Sequence, residues 1–291
     1  MLNINSNYAA SFASNAAKSS SQGLNSAMEK LSTGMRINYA KDDAAGQAIS
    51  TRLSAEVQGL QMASRNAADA QSMIDTAEGA LQETHNVLLR MRELAVQSAN
   101  GTLTDGDRAH TDAEFDQLVA EVTRIADNTT WAGKSLLDGS VDGTTTATSA
   151  LSFQVGEGAN QTISVEIASM KASDLGASGA ASAPTTVALS ASSLTNSANA
   201  QAAIASIDVA ISSVSTARGG MGAVSNRLSS TMSNLDQIAV NLSASQGRIQ
   251  DADFAQETGN LAKNQILQQA ATAMIAQANA SKSSVLTLVR G

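Results

Sequence analysis

Residues 43–99 read DAAGQAISTRLSAEVQGLQMASRNAADAQSMIDTAEGALQETHNVLLRMRELAVQSA, with a small or apolar residue at every seventh position. One row is Leu53, Leu60, Ala67, Ile74, Leu81, Leu88 and Ala95, and the second is Ala63, Ala70, Ala77, Thr84 and Met91. Such spacing predicts one amphipathic helix with a single buried seam. At 1.5 Å per residue this helix would be roughly 80 Å long, whereas an ordinary globular helix has about 12 residues.

A helix of that length needs an equally long partner, and the same chain supplies one. The seven-residue steps of the second seam are Ile207, Val214, Met221, Leu228, Leu235, Leu242 and Ile249. Two matched seams favour an antiparallel rod, and the strict period of seven favours a left-handed supercoil. Core helices of an ordinary bundle would carry similar seams, but the length of these two favours the rod. We therefore expect a mainly α, coiled-coil-like fold.

Shorter signals predict how the remaining elements begin and end. Gly34 is a typical helix stop, and Asp42 or Asp43 can cap the long helix. Thr104 with Asp107 resembles a capping box that opens a second helix. The inner face of that helix would be Phe115, Leu118, Val122 and Ile125. Strict alternation then predicts a β-hairpin near residues 151–167 with one buried face, and the Ala/Ser/Thr-rich residues 177–199 predict a surface crossover.

Composition excludes several classes of protein. The net charge is −8 and Lys and Arg are scattered, which argues against nucleic-acid binding and an anionic membrane surface. No uninterrupted apolar run reaches about 18 residues, so we expect no membrane insertion, and no basic leader precedes an apolar block near Met1. The chain has no Cys, which excludes disulfides and thiolate metal sites.

No motif predicts catalysis, a metal site or a cofactor. The two histidines, His85 and His110, belong to no zinc-binding spacing, and no nucleophile elbow occurs. Gly219-Gly220-Met221-Gly222 lies within the second seam and lacks the strand and the Lys of a phosphate loop. We expect a protein that is not an enzyme.

The two ends of the chain resemble each other. Residues 1–42 and 249–291 carry few charges, are rich in Asn, Ser and Ala, and are only weakly amphipathic. Ser and Asn are mediocre helix formers. Because an antiparallel rod brings these ends together, we expect them to form one piece that becomes ordered only on assembly.

Several motifs resemble those of bacterial flagellin, in the order that family has them. They are LSTGMRIN at 31–38, KDDAAG at 41–46, RMRELAVQSAN at 90–100, TTWAGKSLLDG at 129–139, FQVG at 153–156, RIQDADF at 248–254 and QILQQA at 265–270. The resemblance covers residues 1–176 and 200–291. A hook–filament junction protein of the same superfamily is the alternative, although the block at 129–139 and the lack of a large insertion favour flagellin.

The resemblance implies a filament subunit that is exported unfolded through the flagellar type III apparatus and polymerises outside the cell. Its partners would be further copies of itself, an export chaperone, and the cap and hook-junction proteins. Residues 1–42 and 249–291 would form an inner tube, residues 43–176 and 200–248 the rod around it, and residues 177–199 a short variable crossover.

The resemblance also implies three sets of site residues. Inner-tube contacts would involve Ile4, Tyr8, Phe12, Phe254, Leu261, Leu267, Met274 and Ile275. We expect Leu267, Met274 and Ile275 to share one helical face that is exposed in the monomer and buried in the tube. A Toll-like receptor of animal hosts would recognise Arg90, Leu94, Gln97 and Glu114, with Leu94 as an exposed anchor. Candidate O-glycan acceptors are Thr144, Thr145, Thr146 and Thr148, with the Ser/Thr stretch 182–197; a plain solvated loop is equally compatible.

Overall fold

The computed structural model of the protein describes residues 6–140, 148–176 and 187–290. The candidate residues Ile4, Thr144, Thr145 and Thr146 lie outside these ranges, and the side chain of Thr148 is not described either. The helices are α1 Tyr8–Thr33, α2 Ala44–Ser98, α3 Asp105–Asn128, α4 Ser197–Gln250 and α5 Phe254–Arg290. The strands are β1 Thr130–Trp131, β2 Lys134–Ser135, β3 Thr148–Gln154 and β4 Thr162–Ala168, and a 3₁₀ turn occupies Leu189–Ala191. The predicted mainly α class is confirmed.

The chain divides into two compact units. The central unit is Gln58–Ala239, and the terminal unit combines the described residues up to Val57 with those from Val240 onward.

Within the central unit, α2 and α4 run antiparallel. Polar contacts join Ser64 to Asp236 at 3.1 Å, Glu78 to Arg218 at 3.5 Å and Arg92 to Asp208 at 2.7 Å, so residue numbers rise along α2 while they fall along α4. Most positions of the predicted seams are buried between them. Those at most 2% exposed are Ala63, Ala67, Ala70, Ile74, Ala77, Leu81, Thr84, Leu88, Met91, Ala95, Ile207, Val214, Met221 and Leu228. Leu60 and Leu235 are 5% and 6% exposed, and the predicted seam positions Leu242 and Ile249 are only half-buried.

Helix α4 is also long and apolar enough to cross a membrane, by length and composition only. Among the described helices it alone meets this test. The core helix of a soluble protein can pass the same test, and the seam residues of α4 are buried against α2.

The remaining elements of the central unit widen this core. Helix α3 opens with the predicted capping box, in which Thr104 and Asp107 bond reciprocally, and it buries Phe115 and Val122. The predicted hairpin is confirmed as β3 paired antiparallel with β4, in a register that places Leu151 opposite Val165. Its buried face includes Val165 and Ile167, each 1% exposed. Asn66 Nδ2 of α2 donates to the carbonyl of Gln154 at 3.1 Å, which fixes the hairpin against the helix.

The crossover differs from its prediction. Leu189 and Leu194 are fully buried, so residues 187–196 are not a plain surface segment. Helix α4 begins at Ser197, ten residues before the first seam position recognised in the sequence. Ala200 and Ala203 extend the buried seam there, but small residues among Ser, Ala and Asn give little periodic contrast.

A buried arginine connects the ends of three helices. Arg108 of α3 donates from Nε to the carbonyl of Ser98 and from Nη2 to that of Asn100, both at 3.0 Å. Ser98 Oγ in turn donates to the carbonyl of Leu194 at 2.8 Å, just before α4. The last carbonyls of a helix have no partner within it, so Arg108 satisfies the end of α2 and fixes the start of α3 beside it.

We expect Arg108→Ala to lower the free energy of unfolding by about 2–4 kcal/mol, because it leaves buried carbonyls unsatisfied. Urea unfolding followed by circular dichroism measures this. Arg124→Ala is the matched control, since Arg124 lies on the same helix but is 60% exposed and pairs with the nearby Glu121. Equal stability of the two variants would contradict the structural role of Arg108.

Candidate functional site

The terminal unit is built on an antiparallel pair of α1 and α5. At one end Asn7 Nδ2 donates to the carbonyl of Ala278 at 3.4 Å, and toward the other Lys30 Nζ lies 3.3 Å from Glu257 Oε1. Helix α1 is capped by Asn7, whose side chain accepts from the amide of Ala10, and it ends at Gly34 with φ 71°. The predicted helix stop at Gly34 is confirmed, because this left-handed conformation favours glycine.

Small and polar residues fill the seam of this pair. The buried positions of α1 are Ala13, Ser20 and Ala27, seven residues apart, and α5 buries Ala271. At Gly23 a Cβ atom would lie 2.8 Å from Nδ2 of Asn264, so that side chain occupies the space glycine leaves. Close approach at these small residues holds the two helices, and the half-buried Leu24, Leu31, Leu261 and Ile275 add apolar contact along the seam.

Most of the large apolar side chains of the pair point outward. Their exposed fractions are Tyr8 74%, Phe12 79%, Met28 53%, Phe254 67%, Ile266 65%, Leu267 45% and Met274 63%. This arrangement inverts the usual distribution, in which bulky apolar residues fill the interior. An exposed apolar surface of this extent is typical of an interaction site.

Two of the predicted inner-tube residues occupy a different face. Leu261 and Ile275 are half-buried, and Ile275 lies in line with Gln268 and Ala271, which also face the α1 side. Leu267 and Met274 are seven residues apart and share an exposed side, whereas Ile275 is rotated by about a further 100°. The prediction that Ile275 shares the exposed face of Leu267 and Met274 is therefore wrong.

A short antiparallel contact joins the segments that link the helices of the terminal unit. The amide of Arg36 donates to the carbonyl of Gln250 at 2.7 Å, and the amide of Ala252 to that of Gly34 at 2.9 Å. Arg36 Nη2 also donates to the carbonyl of Ile249 at 2.7 Å. Arg36 thus satisfies two carbonyls at the end of α4, that of Ile249 from its side chain and that of Gln250 from its backbone.

The two aspartates before α2 have separate tasks. Asp43 Oδ1 accepts from the amide of Gly46 at 2.9 Å, which confirms Asp43 as the cap of the long helix. Asp42 Oδ2 accepts from the amides of Asn38 and Tyr39 and holds the preceding turn.

The predicted receptor patch lies in the central unit, and only some of its residues are exposed. Arg90 Nη2 and Nε lie 2.8 and 3.0 Å from Glu114 Oε1, and Nη1 lies 3.0 Å from Glu93. The hydrogen bonds that the guanidinium donates to Glu114, and then to Glu93, raise the pKa of Arg90. The structure thus brings Arg90 and Glu114 together, and Gln97 is exposed on the same helix as Arg90.

Leu94 is not the exposed anchor that the sequence predicted. It is 2% exposed, among the buried residues Met91, Ala95 and Ser98. The buried stripe of α2 is wider at this level than one two-helix seam, since Phe115 of α3 belongs to the same cluster. The apolar surface here comes from Leu89 and Val96 instead, which line a depression with Arg92, Glu93 and Gln97.

The described ranges can be searched for a metal site, and they include part of the Ser/Thr stretch proposed for glycans. Across residues 6–140, 148–176 and 187–290 no three His, Cys, Asp or Glu side chains converge to hold a metal ion. In the described part of the 182–197 stretch, Ser190 and Thr195 are exposed, whereas Ser192 is buried.

Sequence comparison identifies relatives along almost the whole chain. Residues 4–142 match the family model of the bacterial flagellin N-terminal helical region, and residues 204–289 match the C-terminal one. The flagellin of Halalkalibacterium halodurans is 44% identical, over 91% of each chain. The flagellin of Bacillus subtilis is 42% identical, over 99% of this chain and 100% of its own.

Structural comparison identifies a related fold in a protein from Vibrio parahaemolyticus assigned to the flagellar hook-associated class. The TM-score is 0.57 at 18% identity, over 72% of this chain and 100% of the other. At that identity the likeness extends to the fold alone.

We expect Leu94→Ala to lower the free energy of unfolding by about 2–4 kcal/mol, because truncation leaves a cavity beside Met91 and Phe115. Arg90→Ala, one turn away and half exposed, should leave it nearly unchanged. Denaturant unfolding of the two monomeric variants tests this. If Leu94→Ala were as stable as Arg90→Ala, the buried assignment of Leu94 would be wrong.

Proposed function

The chain belongs to the bacterial flagellin family, a family of structural filament proteins rather than enzymes, and we propose that it polymerises into the filament that drives motility. The homologues form a filament external to the cell, and we propose the same location for this chain. The observation that carries the proposal is the inverted terminal helix pair, with small residues buried and bulky apolar residues exposed.

That inversion supports self-assembly through the terminal helices. Burying a fully exposed Leu, Met or Phe side chain stabilises a contact by about 1.5–3 kcal/mol. Exposed positions such as Phe12, Phe254 and Met274 gain this energy only when another subunit covers them. We propose that residues 1–42 and 249–291 form the inner tube of the filament, surrounded by residues 43–176 and 200–248.

Export and the remaining partners follow from the same proposal. The sequence contains no cysteine, so no disulfide obstructs passage of an unfolded chain through the type III channel. Before assembly, an export chaperone would bind the exposed apolar surface of α1 and α5 and shield it from water. Cap and hook-junction proteins would meet it at the two ends of the filament. Thr144, Thr145, Thr146 and Thr148 remain the proposed O-glycan acceptors.

A hook–filament junction protein is the second candidate, favoured by the shared fold of the Vibrio parahaemolyticus protein. Fold alone does not separate the two functions. Purified, salt-treated protein should form long uniform filaments in negative-stain microscopy if the filament proposal holds. Short caps, or no polymer at all, would support the junction protein instead.

We expect Leu267→Asp to be exported but not to form filaments, because it places a charge without a partner in an apolar contact between subunits. Immunoblots of the culture supernatant measure export, and negative-stain microscopy measures assembly. Leu267 is preferable to Ile275, since an Asp at Ile275 would also disturb the pairing of α1 with α5.

Gln269→Asp is the matched control for this test. Gln269 is exposed on the same helix and lies about 200° around it from Leu267, so it introduces the same charge on another side. Normal filaments from Leu267→Asp would remove Leu267 from the assembly surface. Loss of filaments from both variants would indicate a general effect of charge.

We propose further that a Toll-like receptor of animal hosts recognises the monomer through Arg90, Gln97 and Glu114. The exposed, doubly paired guanidinium of Arg90 supports this, because a planar Arg held in a fixed geometry suits an interface anchor. Leu94 would then act indirectly, by holding α2 in the core of the central unit.

We expect Arg90→Ala and Glu114→Ala each to weaken activation of receptor-bearing reporter cells, while Asp69→Ala, also exposed on α2, does not. A double variant with Arg90→Glu and Glu114→Arg keeps an ion pair but exchanges the positions of the positive and negative charges that a receptor would contact. Loss of signalling in the exchanged variant would indicate direct contact. A silent wild-type monomer would refute this part of the proposal.

A further inference from the structure

Of the nine methionines in the described ranges, seven are either buried or at least half exposed, and the other two, Met35 and Met232, are of intermediate exposure. Met73, Met91, Met170 and Met221 are at most 2% exposed. Met28, Met62 and Met274 are 53%, 50% and 63% exposed. Because a thioether has no proton to lose, access rather than ionisation decides how readily it is oxidised. The exposed group should therefore react with an oxidant long before the buried one.

Two of the exposed methionines lie on the outward surface of the terminal helix pair. Met28 is on α1 and Met274 is on α5, and both lie outside the buried small-residue seam. Met274 precedes Ala278 by four residues, and Phe12 follows Asn7 by five, so the contact of Asn7 with Ala278 places Met274 near the level of Phe12. The thioether and an exposed aromatic ring thus occupy the same stretch of the proposed assembly surface.

Oxidation would change the chemistry of that surface. Hydrogen peroxide transfers one oxygen atom to the sulfur by two-electron oxidation and is itself reduced to water, which yields methionine sulfoxide. The S=O group is a strong hydrogen-bond acceptor, and burying it without a donor is unfavourable. The backbone is not cleaved and the net charge does not change.

We propose that Met28 and Met274 are peroxide-sensitive sites of this chain, and that their conversion to sulfoxide blocks polymerisation while the central unit stays folded. The proposal rests on the filament function. Oxidation acts on free subunits, because the contact that buries these thioethers in the polymer also protects them. Methionine sulfoxide reductases, which act on both sulfoxide epimers, would restore the free subunit.

Peptide mass spectrometry of peroxide-treated monomer tests the site assignment. We expect sulfoxide at Met28, Met62 and Met274 first, with the four buried methionines unmodified. Circular dichroism should show an unchanged unfolding transition of the central unit. Oxidation of Met73 or Met221 as early as Met274 would overturn the assignment.

Polymerisation of the same samples tests the block. We expect oxidation to raise the critical concentration for polymerisation at least about tenfold, and reductase treatment to reverse the effect. Chains carrying both Met28→Leu and Met274→Leu keep an apolar side chain of similar volume and should polymerise equally well before and after peroxide. Met62→Leu, the matched control from the central unit, should remain sensitive.

Each other result has a defined meaning. Oxidised wild type that polymerises normally, or rescue by Met62→Leu, would overturn the proposal. If the doubly substituted chain failed to polymerise before treatment, the single variants Met28→Leu and Met274→Leu would be tested instead. Each should then polymerise better than wild type after peroxide treatment. If untreated wild type did not polymerise, both the filament function and the proposed block of polymerisation would be refuted. The positions of sulfoxide would still show which thioethers peroxide can reach.

Discussion

The antiparallel packing of α2 against α4 is the interaction on which the central unit depends. Its seam repeats every seven residues, and its large members, such as Leu81, Leu88 and Leu228, are fully buried. Each contributes about 1.5–3 kcal/mol by leaving water. The polar contacts along the edges, such as Arg92 with Asp208, are half exposed and contribute much less. Burial therefore supplies the stability, and the edge pairs help to fix the register.

The terminal helix pair uses the opposite distribution of side chains. Its seam is narrow because Ala13, Ser20 and Ala27 let α1 approach α5 closely, but such residues bury little apolar area. Leu24, Leu31, Leu261 and Ile275 add half-buried apolar area to it, but most of the bulky apolar side chains of the pair lie on its surface. The same chain thus contains one unit that completes its own core and another whose apolar surface lacks cover within the described residues.

Local sequence patterns predicted the positions of the helices well. The predictions failed where burial depends on contacts between segments that are distant in the sequence. The period of seven identified α2 and most of α4, and Thr104 with Asp107 marked the start of α3, because these signals involve neighbouring residues. Leu94 was misassigned because a seam drawn for two helices is too narrow where α3 adds a third. Ile275 was misassigned because the side of α5 that faces α1 is lined by small and polar residues, which give no apolar contrast.

Two other features had weaker signals. The role of Arg108 depends on carbonyls from α2 and on the segment before α4, which its neighbours in sequence do not reveal. The β1–β2 turn places Ala132 and Gly133 at φ 49° and 80°, and the Ala-Gly pair was the only local indication of it. Patterns of hydrophobicity do not encode either arrangement.

The pairing of Asn7 with Ala278 joins residues that are 271 positions apart in the chain. Helix α1 is made before the other described helices, yet its partner α5 is the last of them to be made. While α5 is still missing, α1 has no helix to provide the close contacts along Ala13, Ser20 and Ala27. The terminal pair can therefore form only after the whole central unit has been translated.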